Sequence, residues 1–92
     1  MSGLRIDKWL WYARFCKSRS LAQSWIETGE VTLNGAVVEK CNIGVKPGDH
    51  IEMPMGPRRR REVEVLGLAE RRGPASEAQL LYRSLSEPLP EA

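Results

Sequence analysis

The 92-residue sequence contains few of the residues that build metal or redox centres. It has one histidine, His50, and two isolated cysteines, Cys16 and Cys41, without any C-x-x-C pair. A structural zinc site needs four such ligands at short spacings, so we expect no zinc site and no other cofactor. Both cysteines are expected to be reduced thiols.

Long apolar runs are also missing. No stretch approaches the roughly 20 apolar residues of a membrane span, and the start MSGLRIDKW lacks the apolar segment of a secretory signal. We therefore expect a cytoplasmic protein that does not enter a membrane. We also expect that it does not act on a small-molecule substrate. Its length suits one small domain.

Positive charge is concentrated in the first two thirds of the chain. Up to Arg61 there are 11 basic and 6 acidic residues, and beyond it 3 basic and 6 acidic. Between Arg5 and Arg19, five basic residues stand against a single acidic one, Asp7. This uneven distribution is typical of a surface that binds an anionic chain.

Two helices are predicted first. The spacing of Ile6, Trp9, Leu10 and Ala13 predicts a helix from Leu4 to about Cys16 with these residues buried. Ser18 or Ser20 can cap a second helix, whose apolar stripe contains Leu21, Ala22, Trp25 and Ile26 and which ends near Gly29.

Short strands follow the helices. Val31–Leu33 and Val37–Val38 flank Asn34-Gly35, the dipeptide that most favours a tight hairpin turn. A turn at 47–49 precedes a strand over His50–Met53, and Val63, Val65 and Leu66 indicate another strand. Residues from Pro74 to about Leu85 predict a late helix, and residues 86–92 a disordered tail. The expected fold class is α+β, with two helices packed on an antiparallel sheet of short strands.

Four motifs in a fixed order carry a family resemblance. They are Arg5-x-Asp7-Lys8, Ser18-Arg19-Ser20, Gly29-x-Val31-x-x-Asn34-Gly35 and Val45-Lys46-Pro47-Gly48-Asp49, and they lie between about Leu4 and Met53. Together they resemble the S4 RNA-binding domain, or αL motif. The run KWLW and the segment after Arg58 are most similar to the ribosome-associated heat-shock protein fifteen type of that family.

The resemblance implies an RNA-binding domain over residues 4–53, extended by a basic loop, a strand and a helix over residues 54–85. Its implied partners are ribosomal RNA and the large ribosomal subunit, including a subunit that carries peptidyl-tRNA, in the rescue of stalled translation under heat stress. A helix start attracts phosphate, which agrees with basic residues around Ser18. The predicted RNA-binding residues are Arg5, Lys8, Arg14, Lys17, Ser18, Arg19, Ser20, Gln23, Asn34, Gly35, Lys46, Arg58, Arg59 and Arg60.

Three other functions compete with RNA binding. S4 domains are often joined to enzymes, but the chain after Met53 is too short for a catalytic domain, and no nucleophile is paired with a base. A protein-interaction module could use the Trp11/Phe15 face, with the positive charge incidental. Within the fold, Trp11 could instead form an apolar patch with Phe15 that the late helix covers. Alternatively, Trp11 could be a stacking platform for a base. Duplex DNA binding by the two helices is disfavoured, because the basic residues gather at a helix start and not along a recognition face.

Overall fold

A computed structural model describes residues 3–55 and 59–85. The chain begins with strand β1 (Leu4–Arg5), which leads directly into helix α1 (Ile6–Tyr12). The predicted first helix was therefore too long at both ends. Leu4 and Arg5 pair with Val45 and Gly44 of strand β4 (Gly44–Val45), and the chain turns at Arg14, whose φ of 67° is incompatible with a helix.

Helix α2 (Arg19–Glu27) begins after Ser18, which is the capping residue of the two that the sequence allowed. The Ser18 side chain accepts a hydrogen bond from the backbone N–H of Leu21 at 3.1 Å. At the other end Gly29 adopts a φ of 76°, as expected for a helix stop.

The main sheet is antiparallel and has five strands in the order β3-β2-β5-β6-β7. These strands are β2 (Thr32–Leu33), β3 (Ala36–Val37), β5 (His50–Pro54), β6 (Arg60–Val65) and β7 (Tyr82–Ser84). Asn34 and Gly35 form the turn between β2 and β3, both with positive φ, which confirms the predicted hairpin. The predicted α+β fold class is also confirmed.

The predicted late helix is present but ends earlier than expected. Only Ala75–Ala78 form an α-helix, α3, and Gln79–Leu81 continue it as a short 3₁₀ helix. From Tyr82 the chain pairs with β6, with Tyr82 opposite Val65 and Ser84 opposite Val63. Pairing with the unoccupied edge of β6 satisfies backbone groups that a longer helix would leave exposed on that edge.

The core lies between α1, α2 and the sheet. The predicted buried face of α1 is confirmed, because Ile6, Trp9 and Leu10 are completely buried and Ala13 nearly so. From α2, Ala22 and Ile26 are buried, while Leu21 and Trp25 are half-buried and pack against the core. Within the described residues, no helix is long and apolar enough to cross a membrane.

The segment between β6 and α3 is tied to α1 by hydrogen bonds. The Trp9 indole N–H donates to the carbonyl of Gly67 at 3.0 Å, Arg14 Nε donates to that of Gly73 at 2.8 Å, and Arg72 Nε donates to that of Trp11 at 3.1 Å. Residues 67–73 are therefore held against α1 and the turn that follows it. The predicted disordered tail, residues 86–92, lies outside the described residues.

Candidate nucleic-acid interface

The predicted interface centres on the start of α2. Lys17 and Ser20 are exposed there, and the first turn contains no acidic residue that would repel an anion. With Ser18 capping the Leu21 N–H, the amides of Arg19 and Ser20 lie at the positive end of the helix. The sequence placed these groups correctly, and the geometry suits a phosphate.

A buried carboxylate organises the cationic side chains at this helix start. Asp7 of α1 is completely buried and accepts hydrogen bonds from Arg5, Arg19 and Gln23. Arg5 donates through Nε and Nη2 at 3.2 and 3.1 Å, and Arg19 Nε and Gln23 Nε2 each donate at 3.1 Å. We call Asp7, Arg5, Arg19 and Gln23 the Asp7 cluster.

The Asp7 cluster retains one net positive charge, because two guanidinium groups surround one carboxylate. Burial raises the pKa of Asp7, but hydrogen bonds from Gln23, Arg19 and Arg5 outweigh it and hold that pKa below its ordinary value of 3.8. Asp7 is therefore ionised at neutral pH. The Arg5 and Arg19 side chains remain 42% and 35% exposed, so they are oriented by Asp7 and still reach solvent.

A second buried aspartate lies in the turn before β5. Asp49 accepts hydrogen bonds from Lys46 Nζ at 2.9 Å, from the Lys46 backbone N–H at 3.0 Å and from Asn34 Nδ2 at 3.2 Å. Burial raises the pKa of Asp49, but the bonds from Lys46 and Asn34 lower it below its ordinary value. Asp49, Lys46 and Asn34 are the Asp49 cluster.

Asn34, a predicted RNA-binding residue, is exposed, and its side chain also makes hydrogen bonds within the fold. Besides donating to Asp49, Asn34 accepts a hydrogen bond from the backbone N–H of His50 at 2.9 Å through Oδ1. Both ends of its amide group are thus used within the fold. Gly35, beside it, is exposed at the tip of the turn.

Among the remaining predicted RNA-binding residues, two exposed arginines also have partners within the fold. Arg14 is held by the Gly73 carbonyl, and Arg60 donates to the Glu30 carbonyl and pairs with Glu52 at 3.4 Å. Lys8 is half-buried and Arg59 is exposed. Arg58 lies outside the described residues.

Asp7 and Arg61 were not among the predicted RNA-binding residues. Asp7 was visible as the one acidic residue among five basic ones, which is the signal that could have found it. Arg61 lies 5.2 Å from the ring centre of Phe15 and 5.4 Å from that of Tyr82. Only the fold brings these three residues together.

The predicted apolar patch of Trp11 and Phe15 is not found as one surface. The Trp11 ring lies beside Tyr12, at 5.6 Å between ring centres, and the Arg72 guanidinium lies 5.9 Å from its centre. Phe15 instead packs with Trp9 and Tyr82, at 5.8 and 4.5 Å. The two side chains belong to different clusters because Arg14 turns the chain between them.

The S4 domain family model matches residues 4–51, more than half of the chain. The chain therefore belongs to the S4 domain family. That range contains both aspartate clusters and the start of α2.

Within the family, the chain is similar to heat shock protein 15. The heat shock protein 15 homolog of Aeromonas salmonicida is 48% identical over 79 residues, which are 86% of this chain and 58% of that protein. The trimeric structure of Vibrio cholerae heat shock protein 15 superimposes with a TM-score of 0.84 at 38% identity, covering 92% of this chain and 84% of that chain.

A shorter part of the chain is similar to a second kind of protein. The RQC P-site tRNA stabilizing factor of Listeria monocytogenes is 36% identical over 55 residues, 60% of this chain and 59% of that protein. The chain thus spans about three fifths of the length of these curated relatives.

Proposed function

We propose that this protein binds structured ribosomal RNA, with the Asp7 cluster and the start of α2 as the phosphate-binding centre. The observation that carries the proposal is the buried Asp7, which holds Arg5 and Arg19 beside a helix N-terminus while leaving both partly exposed. Charged donors fixed in advance lose little side-chain entropy when they bind phosphate. Recognition of backbone and shape is the usual mode for structured RNA.

The proposed target is the large ribosomal subunit, including a subunit that carries peptidyl-tRNA, during the rescue of stalled translation under heat stress. Two relatives support this choice: one is named a heat shock protein, and the other is named a factor that stabilises P-site tRNA. The proposal places the protein in the cytoplasm and assigns it no catalytic activity. Sedimentation with free large subunits in preference to whole ribosomes is the expected result.

The direct test is the variant Arg19→Gln in a titration against a ribosomal RNA fragment. Glutamine removes the positive charge but keeps an N–H group that can donate to Asp7, whereas alanine would leave this buried carboxylate short of a donor. We expect Arg19→Gln to lose about 1.5–3 kcal/mol of binding free energy, the value of a hydrogen bond to a charged group. Circular dichroism checks that the variant is folded.

Arg83→Gln is the matched control. Arg83 lies on the edge strand β7 and forms an ion pair with Glu64 of β6, and its side chain is 65% exposed. We expect its RNA affinity to be unchanged, and the affinity of the parent to fall steeply with salt as counterions are released. A flat salt response, or equal losses in the two variants, would refute the assigned phosphate-binding centre.

A further inference from the structure

A pocket of about 210 Å³ lies where the turn after α1 meets the C-terminal third of the chain. Its lining includes Arg14 and Phe15 from the turn, Arg61 from β6, and Ala78, Gln79 and Tyr82 from the segment that leads into β7. Pockets that hold drug-sized ligands measure about 300–1,000 Å³. This smaller pocket suits a single planar ring system.

One wall of the pocket is formed by Arg61 together with the rings of Phe15 and Tyr82. The Arg61 guanidinium lies within 5.4 Å of the ring centres of both Phe15 and Tyr82, which are themselves 4.5 Å apart. No carboxylate among residues 3–55 and 59–85 forms an ion pair with it, whereas the adjacent Arg60 pairs with Glu52. Among the described residues, therefore, two aromatic rings and no ion-paired carboxylate hold this planar cation.

The chemistry of this wall matches an unpaired nucleobase. Bases that are splayed out of RNA stack on aromatic rings and on arginine guanidinium planes. Arg14 and Gln79, both exposed, place polar groups at the pocket that can meet the edge of a base. Arg14 is already fixed by its bond to the Gly73 carbonyl, so little order has to be created on binding.

The pocket is also close to the proposed phosphate-binding centre. Ser18 is three positions after Phe15, so their Cα atoms lie at most about 11 Å apart. A strand whose phosphate contacts the start of α2 can then direct a nearby base toward Arg61. We propose that this pocket binds one unpaired nucleobase of the RNA, an inference that rests on the proposed function.

The test uses two RNA hairpins that differ in one group. One has a single unpaired adenosine at its 3′ end, and the other has an abasic residue there, with the same phosphates. We expect the parent protein to bind the adenosine hairpin roughly tenfold more tightly, as base stacking of this kind contributes. Arg61→Lys keeps the positive charge but removes the planar guanidinium group. This variant should bind both hairpins with equal affinity, and the salt dependence of its binding should be unchanged.

The control Arg83→Lys should keep the full preference for the adenosine hairpin. Equal binding of the two hairpins by the parent protein, or a preference that survives in Arg61→Lys, overturns the pocket and leaves the proposed function standing. If Arg61→Lys does not fold, Gln79→Ala at the exposed pocket edge takes its place and should reduce the preference.

A second measurement separates the two proposals. If the parent protein binds neither hairpin, the proposed function fails, and adenosine monophosphate then tests the pocket alone. In NMR spectra, chemical-shift changes of the Ala78 and Gln79 amides on addition of adenosine monophosphate support the pocket if they disappear in Arg61→Lys. Signals that do not move in the parent protein overturn it.

Discussion

The Asp7 and Asp49 clusters both surround a buried aspartate, yet they are built for different purposes. Asp7 collects donors from residues 12 and 16 positions away, and two of its three side-chain partners are arginines. Asp49 is held mainly by Lys46, three residues earlier, and by the neutral Asn34. One cluster keeps a net positive charge at a helix start, whereas the charges of the other cancel.

The backbone around Asp49 also makes hydrogen bonds that support a structural role. The Asp49 carbonyl accepts a hydrogen bond from Val65 N–H at 2.8 Å, and the Gly48 N–H donates to the Val65 carbonyl at 2.8 Å. The Asp49 cluster therefore links the β4–β5 turn to the β2–β3 hairpin, and the backbone bonds of that turn link it to β6. A buried carboxylate can thus serve either as a structural junction or as a support for exposed cations, depending on whether its partners carry spare charge.

Replacing Asp7 should produce the largest effect. The unfolding free energy of Asp7→Ala is expected to be lower than that of the parent protein by about 3 kcal/mol or more. This value is near the lower end of the range for breaking a buried ion pair, because water can hydrate Arg5 and Arg19 in the variant. Urea denaturation measures this loss. Glu64→Ala, which removes the partner of Arg83 at the surface, should stay within about 1 kcal/mol of the parent protein.

The milder variant Asp7→Asn tests the supporting role itself. It raises the net charge by one, so a purely electrostatic surface would bind RNA more tightly. We expect weaker binding instead, because Arg5 and Arg19 lose the ionised partner that orients them. Tighter binding by folded Asp7→Asn would show that Asp7 does not organise the site.

Replacing Asp49 should separate stability from binding. Asp49→Ala leaves Asn34 and the Lys46 amide without their acceptor, at an expected cost of about 1–3 kcal/mol in unfolding free energy. RNA affinity at a temperature where the variant is fully folded should change much less than in Arg19→Gln. A comparable loss of affinity in Asp49→Ala would mean that Lys46 or Asn34 contacts RNA, as the sequence pattern first predicted.

Acid should weaken both clusters together. The pKa of each aspartate is lower in the folded chain than its ordinary value of 3.8, so each stabilises the fold above that value and loses this contribution as pH falls through the folded pKa. Unfolding free energy should therefore be insensitive to these two groups near neutrality and decline below about pH 4. The decline should be smaller in Asp7→Asn, as measured by urea denaturation at a series of pH values.

Removing residues 86–92 should have the smallest effect. Every contact of the two clusters described above lies within residues 3–55 and 59–85, and the tail contains two prolines and no apolar periodicity. RNA affinity and thermal stability are both expected to stay close to those of the full chain. A large fall in the melting temperature would place the domain boundary beyond Leu85.

Local patterns predicted much of the fold because their causes are local. The Ser18 cap, the Asn34-Gly35 turn and the buried face of α1 each depend on residues within a few positions of one another. The end of the late helix was mispredicted because the partner of Tyr82–Ser84 is β6, at least 17 residues earlier in the chain. The apolar spacing in that segment fits a helix, but a vacant sheet edge decided its conformation.

Spacing, charge and motif are properties of neighbours along the chain. They were enough to predict helices α1 and α2, strands β2, β3, β5 and β6, the basic first segment and the family, but not the short strands β1, β4 and β7. The folded chain was needed to see that Arg5, Arg19 and Gln23 share Asp7, that Asn34 donates to Asp49, and that Arg61 lies over Phe15 and Tyr82. These contacts join residues from separate elements. Their energies depend on burial and direction, which arise only when the helices pack on the sheet.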